Sequence, residues 1–339
     1  MFGNSEYSSI FVIFAFKLDL KISIFLIKMS TSALSNIDKS SLAIIIVNWK
    51  LYEVTANCLK SLRFVVYDNF KIILVDNGSE DLSGEKLKAN FPEVVLLKNE
   101  ENRGFTGGNN TGIQYALESG FELIMLLNND TVVTPNFATI LINKLQSDDR
   151  VGAIQPKIMF NQEKDIIWSG GSLFFKTWYL NKSVGVGEKD IGQYDMPKEL
   201  PWVTGCCFLT KSSIVKEVGL LDDRFFMYYE DMDWSFRIRG KGYKLLYEPM
   251  AKIYHEVGKS NENTETFGEG NLSPFSHYVN VRNHIFIVRR YADGVNYITA
   301  IAFQLVKITG YCLYFLFKRR PKKLKASLRG FYHGFKYSI

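Results

Sequence analysis

The feature that most constrains this chain is a series of short, bulky apolar runs, each followed by a stretch of helical periodicity. Leu42–Val47 is a solid apolar strand, and Tyr52–Leu62 after it repeats apolar residues at helical spacing. Lys71–Val75 is a second strand, ended by Asp76-Asn77-Gly78-Ser79. A short helix near Gly84–Asn90 and a strand at Glu93–Leu97 come next. The glycine-rich stretch Asn102–Gly112 then runs into a helix reaching about Ser119, and Phe121–Leu127 has the length and bulk of a buried parallel strand. The series reads βαβαβαβ, the pattern of a parallel, doubly wound sheet. Ligands of such sheets bind outside the carboxyl ends of the strands. Asn48, Asp76 and Asp130 all fall at those ends.

The densest strand end is Leu126-Leu127-Asn128-Asn129-Asp130-Thr131. Thr134 and Pro135 supply an N-cap and first helical residue for the next helix, so Asp130 is not needed as a cap. An acid and two amides at this place suit a divalent ion holding phosphates; a solvated Asn/Asp turn is the plainer alternative. The glycine-rich stretch is neither the G-x-G-x-x-G dinucleotide fingerprint nor a P-loop with its G-K-[ST]. It suits either a backbone that a ligand can approach or a tight structural turn.

Beyond Val151–Phe160, read as a strand, the pattern is less regular. Residues 178–200 read as a polar, mobile surface loop. Trp202–Leu209 reads as a strand whose Gly205 admits a close neighbour, and Trp202 fits either a sugar-stacking or a core role. In Leu221–Trp234, aromatic residues enclose Glu230, Asp231 and Asp233 ahead of a helix Asp233–Gly240. Asp233 alone can serve the helix dipole, with Arg237 as its i,i+4 partner. Glu230 and Asp231 are then surplus acids in an apolar setting, where a carboxylate can be tuned for base work. His255 follows the strand Lys244–Tyr247, in a place open to either a structural or a metal- or phosphate-contacting role.

Charge divides the chain in two. From Gly294 onward there are nine Lys/Arg and no acid, so the first 293 residues hold 32 bases against 35 acids. A near-neutral body with a basic tail argues against a nucleic-acid binder and for a membrane-facing tail. The four cysteines, Cys58, Cys206, Cys207 and Cys312, have no metal or disulfide spacing. Near the N-terminus, Ile10–Lys28 is apolar but interrupted by Lys17, Asp19 and Lys21, a poor spanning helix without a signal-cleavage site. Met29 reads as an alternative translation start; otherwise 1–28 is an amphipathic extension lying on a membrane.

Taken in order, these motifs resemble the family 2 glycosyltransferases of the GT-A fold, and within them the rhamnosyltransferase-like branch acting on bacterial surface polysaccharides. The resemblance runs from about Leu42 to Arg290. Val47-Asn48-Trp49 and Val75-Asp76-Asn77-Gly78-Ser79 resemble the nucleotide-base pocket, and Asn102–Gly112, with Asn102 and Gly104, is similar to the N-x-G-x-x-G-G-x-N segment. Asn128-Asn129-Asp130 stands where the family's D-x-D holds the metal, with amides at both earlier positions. Tyr229–Trp234 resembles the E-D-x-D motif, which would make Asp231 the acceptor base, and His255 matches the histidine completing the metal site.

The resemblance implies a GT-A (Rossmann-like) domain over 41–291, after an extension 1–40, and a basic, membrane-associated helical segment over 292–339. It implies Mg²⁺ or Mn²⁺ at Asp130 and His255, and a nucleotide-diphosphate sugar, dTDP-rhamnose first, as donor to a saccharide or polyprenyl-linked acceptor with inversion. Asn48, Asp76, Asn77, Asn102, Gly104, Asn128, Asn129, Trp202, Gly205 and Glu230 are the expected substrate contacts. A nucleotidyltransferase would need a Gly-rich loop with Arg or Lys after the first strand, where this chain has Asn48-Trp49-Lys50-Leu51-Tyr52. A non-catalytic sugar-binding or scaffolding protein would be expected to lose Asp130 and Asp231.

Tyr297–Phe317 is long enough to span a bilayer, yet the basic cluster Lys318–Lys325 after it and a nucleotide-sugar-binding body before it both belong on the cytoplasmic side. The expectation is therefore an in-plane or re-entrant segment on the cytoplasmic face, separable from a soluble donor-binding body by deletion of 294–339.

Overall fold

The computed structural model describes residues 40–256 and 272–339. The readings of Ile10–Lys28 and Met29 lie outside these residues. The described chain forms one compact unit, Ser40–Ile339.

The expected alternation is present: β1 (Leu42–Asn48), α1 (Tyr52–Leu62), β2 (Phe70–Asn77), α2 (Ser83–Asn90), β3 (Val95–Asn99), α3 (Gly104–Glu118) and β4 (Leu123–Leu127). The chain continues through β5 (Thr131–Val133), α4 (Phe137–Gln146), β6 (Val151–Phe160), β7 (Ile167–Ser169), β8 (Ser172–Phe175), β9 (Leu180–Ser183), β10 (Lys198–Glu199) and β11 (Cys207–Lys211). Then come α5 (Ser212–Val218), α6 (Glu230–Gly240), β12 (Lys244–His255) and three terminal helices, α7 (Pro274–Tyr291), α8 (Gly294–Phe317) and α9 (Pro321–Lys336).

The main sheet has the order β10-β12-β6-β11-β4-β1-β2-β3, with β5 on β12 and β7 on β6. β1 is parallel to both β2 and β4, β2 to β3, and β6 to β12; β11 runs antiparallel between β4 and β6. The strand order reverses at β1, between β2 and β4, and this places a crevice at the carboxyl ends of β1 and β4. Strands β1 and β4 read as continuous apolar runs because both faces are covered: Ile44, Ile45, Ile124 and Met125 are all fully buried.

Several local expectations give way to tertiary packing. The glycine-rich stretch is not a loop: from Gly104 it is the first half of α3. Its glycines let the helix lie directly on β1, where a Cβ at Gly112 would come within 2.5 Å of Ile45 and one at Gly108 within 2.7 Å of Val47. Backbone approach is indeed what the glycines serve, but to the sheet. Thr134 is not the cap of α4, which starts at Phe137 after Asn136; its hydroxyl instead donates to Lys252 O at 2.8 Å. Residues 202–206 are not strand, since β11 begins only at Cys207. The polar segment 178–200 carries β9 and β10, and is tied down by the buried Lys157 ammonium to Asp190 (2.9 Å) and Asp195.

The terminal helices are not a detachable tail. α9 returns along α7, with a Cβ at Gly334 falling 2.8 Å from Ile285 and one at Gly330 falling 2.5 Å from Tyr278 O. Arg289 of α7 donates to Gly334 O at 2.8 Å and Tyr337 O at 2.7 Å. Val281 and Ile285 of α7 share a small core with Ile308 of α8 and Phe331 of α9. Deleting 294–339 would strip that core, so the expected soluble remainder does not follow from the fold.

Candidate active site

A cavity of about 730 Å³ opens at the carboxyl ends of β1 and β4. Its floor is made by sheet pairing. β12 is twelve residues long, and its end pairs antiparallel with β5, setting His255 opposite Thr131. Asp130 precedes Thr131, and the Glu256 N–H donates to its carbonyl at 2.7 Å. His255 thus stands beside Asp130 across 125 residues of sequence, with Nε2 3.0 Å from Oδ1. Both side chains are more than nine-tenths buried, and Trp168 meets the His255 ring edge-on at 4.7 Å.

The pair fits a hard divalent ion. A separation of 3.0 Å is that of two adjacent ligands on an octahedral ion with bonds of about 2.1 Å. Neither ring nitrogen of His255 has a hydrogen bond of good geometry among the described residues. No cluster of three or more His, Cys, Asp or Glu that could hold a metal occurs among the described residues, so an ion held by this pair would take its other ligands from water or substrate oxygens. Burial, with the charge of Asp130, pushes the nearby Cys206 thiol well above the ordinary range.

Of the two amides before Asp130, Asn129 has a structural partner: its Nδ2 donates to Thr55 Oγ1 at 2.8 Å, while at Asn128 it is the backbone carbonyl that accepts from Thr131 Oγ1 at 2.7 Å. Thr55 in turn donates to Asn48 Oδ1 at 2.9 Å, and Asn48 Nδ2 to Ser83 Oγ at 2.9 Å. Asn48, fully buried and outside the cavity wall, is therefore a brace beneath the strand ends. Asp76 also lies off the main cavity, against Gly84 at the start of α2, and its Oδ1 is buried without a partner among the described residues. Asn77 does line the cavity: it donates to Asn102 Oδ1 and Gly104 O at 3.0 Å each, fixing the entry into α3.

The opposite wall is the start of α6. The Asp231 carboxylate accepts the Gly205 N–H at 2.9 Å and the Met232 N–H at 2.8 Å. Gly205 is needed there, since a Cβ would press on Phe105 at 3.0 Å. Burial pushes Asp231 up to about 6, against the pull of those N–H groups. Glu230, 5% exposed, is raised further by burial and then by the charge of Asp231, and its Oε2 has no partner among the described residues. Asp233 points away and is fully paired, with Arg237 at 2.9 Å, with Arg290, and with the Tyr291 hydroxyl at 2.7 Å. Arg237 is the i,i+4 partner expected for Asp233, but the helix begins at Glu230 and not at Asp233, so all three acids lie in its first turn.

Trp202 is packed in a core with Phe225 and Met232, its indole N–H donating to Leu173 O at 3.2 Å, and it does not reach the main cavity. The cavity wall also holds residues that the motifs did not single out: Phe105, Trp168, Phe226, Tyr228, Ser273 and Phe275. Phe226, Tyr228 and Tyr229 take left-handed backbone with φ of 65°, 67° and 71°, a costly arrangement for aromatic residues. It is over-determined by α7. Asn283 Nδ2 reaches Phe225 O (2.9 Å), Met227 O (2.8 Å) and Tyr228 O (2.8 Å), while Arg282 donates to Arg224 O at 3.0 Å.

The largely parallel sheet, with its order reversing at β1, is a GT-A glycosyltransferase fold, and solved structures share it. One is GalNAc-T7 with UDP, GalNAc and Mn²⁺ (TM-score 0.54, 18% identity, 78% of this chain and 54% of that one). Another is the mannosyltransferase PcManGT of Pyrobaculum calidifontis with GDP-Man and Mn²⁺ (TM-score 0.53, 12% identity, 88% of each chain). The model of "Glycosyl transferase family 2" matches residues 41–219, more than half of the chain, and the chain belongs to that family. Similar proteins include the low-salt glycan biosynthesis hexosyltransferase Agl10 of Haloferax volcanii, 24% identical over 86% of this chain and 90% of its own length. The N-acetylglucosaminyl-diphospho-decaprenol L-rhamnosyltransferase of Mycobacterium tuberculosis is 26% identical over 60% of this chain and 71% of its own.

Proposed function

We propose that this glycosyltransferase moves a sugar, with rhamnose the first candidate, from a nucleoside diphosphate to a saccharide or lipid-linked saccharide in surface-glycan synthesis. The observation that carries the reading is one cavity holding both a buried Asp130–His255 pair and, on its other wall, Asp231 raised toward neutrality. The rhamnose and lipid-linked parts lean on the sequence resemblance and on the name of the mycobacterial relative.

In this reading Asp130 and His255 hold Mg²⁺ or Mn²⁺. Such an ion supplies charge neutralisation to a departing diphosphate. Asn77, Asn102 and the start of α3 shape the donor end of the cavity, with Asn48 and Asp76 supporting from below. Asp231 takes the proton of the attacking hydroxyl, held in orientation by the Gly205 and Met232 N–H groups. Attack from the face opposite the leaving group gives inversion. The protein works at the cytoplasmic face of a membrane, where its substrates meet.

The test is thermal stabilisation by a panel of nucleotide sugars with and without Mn²⁺, because a ligand of the native state raises the melting point. One nucleotide sugar should stabilise the chain in a Mn²⁺-dependent way, and Asp130→Ala should abolish that shift. An unchanged Mn²⁺-dependent shift in a folded Asp130→Ala variant would remove Asp130 from the metal site.

A further inference from the structure

A second, smaller cleft of about 180 Å³ lies next to the main cavity and shares Trp168, Thr204, Tyr228, Glu230 and Asp231 with it. Its own walls are Asn181 and Ser183 on β9, Asn280 on α7, and the aromatic Trp202 and Tyr229. The cleft therefore adjoins the main cavity along these shared residues, Asp231 among them.

Its chemistry is specific. The polar side chains are amides, hydroxyls and two carboxylates beside aromatic rings, and among the described residues no Lys or Arg lines it. Asn181 makes no side-chain hydrogen bond among the described residues, and Asn280 uses one amide hydrogen on Ser276 O at 2.9 Å. Glu230 Oε2 is buried here without a partner, which a ligand hydroxyl would relieve. A hydroxyl both donates and accepts, so it suits amide and carboxyl neighbours alike. A phosphate brings only acceptors and negative charge to a cleft already holding two acids and no described cation.

We propose that this cleft takes a neutral sugar ring, the acceptor's terminal residue, with Asn181 and Asn280 holding its hydroxyls and Glu230 meeting one of them. The attacking group is then a sugar hydroxyl and not a lipid phosphate. This rests on the glycosyl-transfer reading above and adds the acceptor class to it. The acceptor oxygen bonds to the donor's anomeric carbon as the carbon–oxygen bond to the diphosphate breaks; the electron pair leaves with the nucleoside diphosphate, and the hydroxyl proton passes to Asp231.

The test uses the full chain with Mg²⁺ and UDP, dTDP or GDP, and a panel of p-nitrophenyl glycosides against p-nitrophenyl phosphate, followed by ligand-observed NMR. At least one neutral glycoside should bind about tenfold or more tightly than p-nitrophenyl phosphate. Asn181→Ala and Asn280→Ala should each weaken that glycoside five- to tenfold, about the loss of one or two hydrogen bonds, with nucleotide binding unchanged. Equal or tighter binding of the phosphate overturns the proposal, as does a glycoside untouched by both variants or no glycoside binding at all. The comparison of the two probes on the unaltered chain needs no variant to fold. In any of these outcomes, intact nucleotide binding confines the failure to the cleft, whereas its loss in the unaltered chain takes the donor-site reading down as well.

Discussion

At the scale of single residues, the two acids opening α6 cost stability. A carboxyl whose folded pKa lies above its unfolded value stabilises the fold while protonated, and that contribution is lost as pH rises through the folded value. For Asp231 the window runs from about 4 to about 6. Asp231→Asn should therefore melt close to the parent at pH 4 and a few degrees above it at pH 7, in scans at both pH values. The same variant should lose turnover by roughly 10²–10⁴ while keeping donor affinity, since shape is kept and proton acceptance is removed. Turnover of the parent should itself fall below about pH 6, as Asp231 takes up its proton. A variant with lost donor binding and unchanged turnover per bound donor would make Asp231 a binding residue. The acid cluster opening α6 was visible in the sequence, because three acids in one first turn exceed what a helix dipole uses. Asn48 was not legible in detail: a strand-end amide reads alike whether it faces a ligand or braces the wall.

At the scale of elements, the strands were legible because burial on both faces writes itself as uninterrupted Ile, Leu and Val. What escaped was set by long-range packing. Glycines lower helix propensity by about 1 kcal/mol each, so Gly104–Gly112 reads as loop until the closeness of α3 to β1 is known. The meeting of Asp130 with His255 depends on β5 pairing with β12, which no local pattern announces. The aromatic turn before α6 depends on α7 in the same way. One buried amide, Asn283, serves three carbonyls of a segment with three left-handed aromatic residues. Asn283→Ala should take this donor from the Met227 and Tyr228 carbonyls, while Phe225 O keeps Arg282 at 2.8 Å, and destabilise the chain by about 2–4 kcal/mol, a drop of roughly 5–10 °C in melting point. Asn283→Asp, which keeps shape and exchanges the donor for a charge, should be no better. A fall under 1 °C in either variant would show that α7 does not hold the turn.

At the scale of the whole molecule, the question is whether α8 crosses a membrane. Among the described residues it is the one helix long and apolar enough to do so, 24 residues or about 36 Å against a hydrocarbon core of about 30 Å. Its flanking helices argue otherwise. α7 precedes it and α9 follows it, and the two pack along one another through Gly330, Gly334 and Arg289, so the helices at both ends of α8 belong to one packed layer. One face of α8, Ala300, Gln304 and Ile308, is buried against that layer; Ile298, Leu305, Val306, Leu313, Leu316 and Phe317 are 50–81% exposed. Leu328 and Tyr332 of α9 add to the apolar surface, and Lys318, Arg319, Lys322, Lys325 and Arg329 lie close to them in the chain. We propose that this helix pair lies in the interface plane, where anionic headgroups would contribute about 1 kcal/mol per basic residue. The chain should therefore bind vesicles containing an anionic lipid far better than neutral ones, and high salt should release a large share of it. Replacing Lys318, Arg319, Lys322 and Lys325 with Glu should weaken vesicle binding by orders of magnitude while leaving nucleotide binding intact. A reporter fused after Ile339 should be active on the cytoplasmic side, and activity only on the far side would require α8 to cross and α7 and α9 to part.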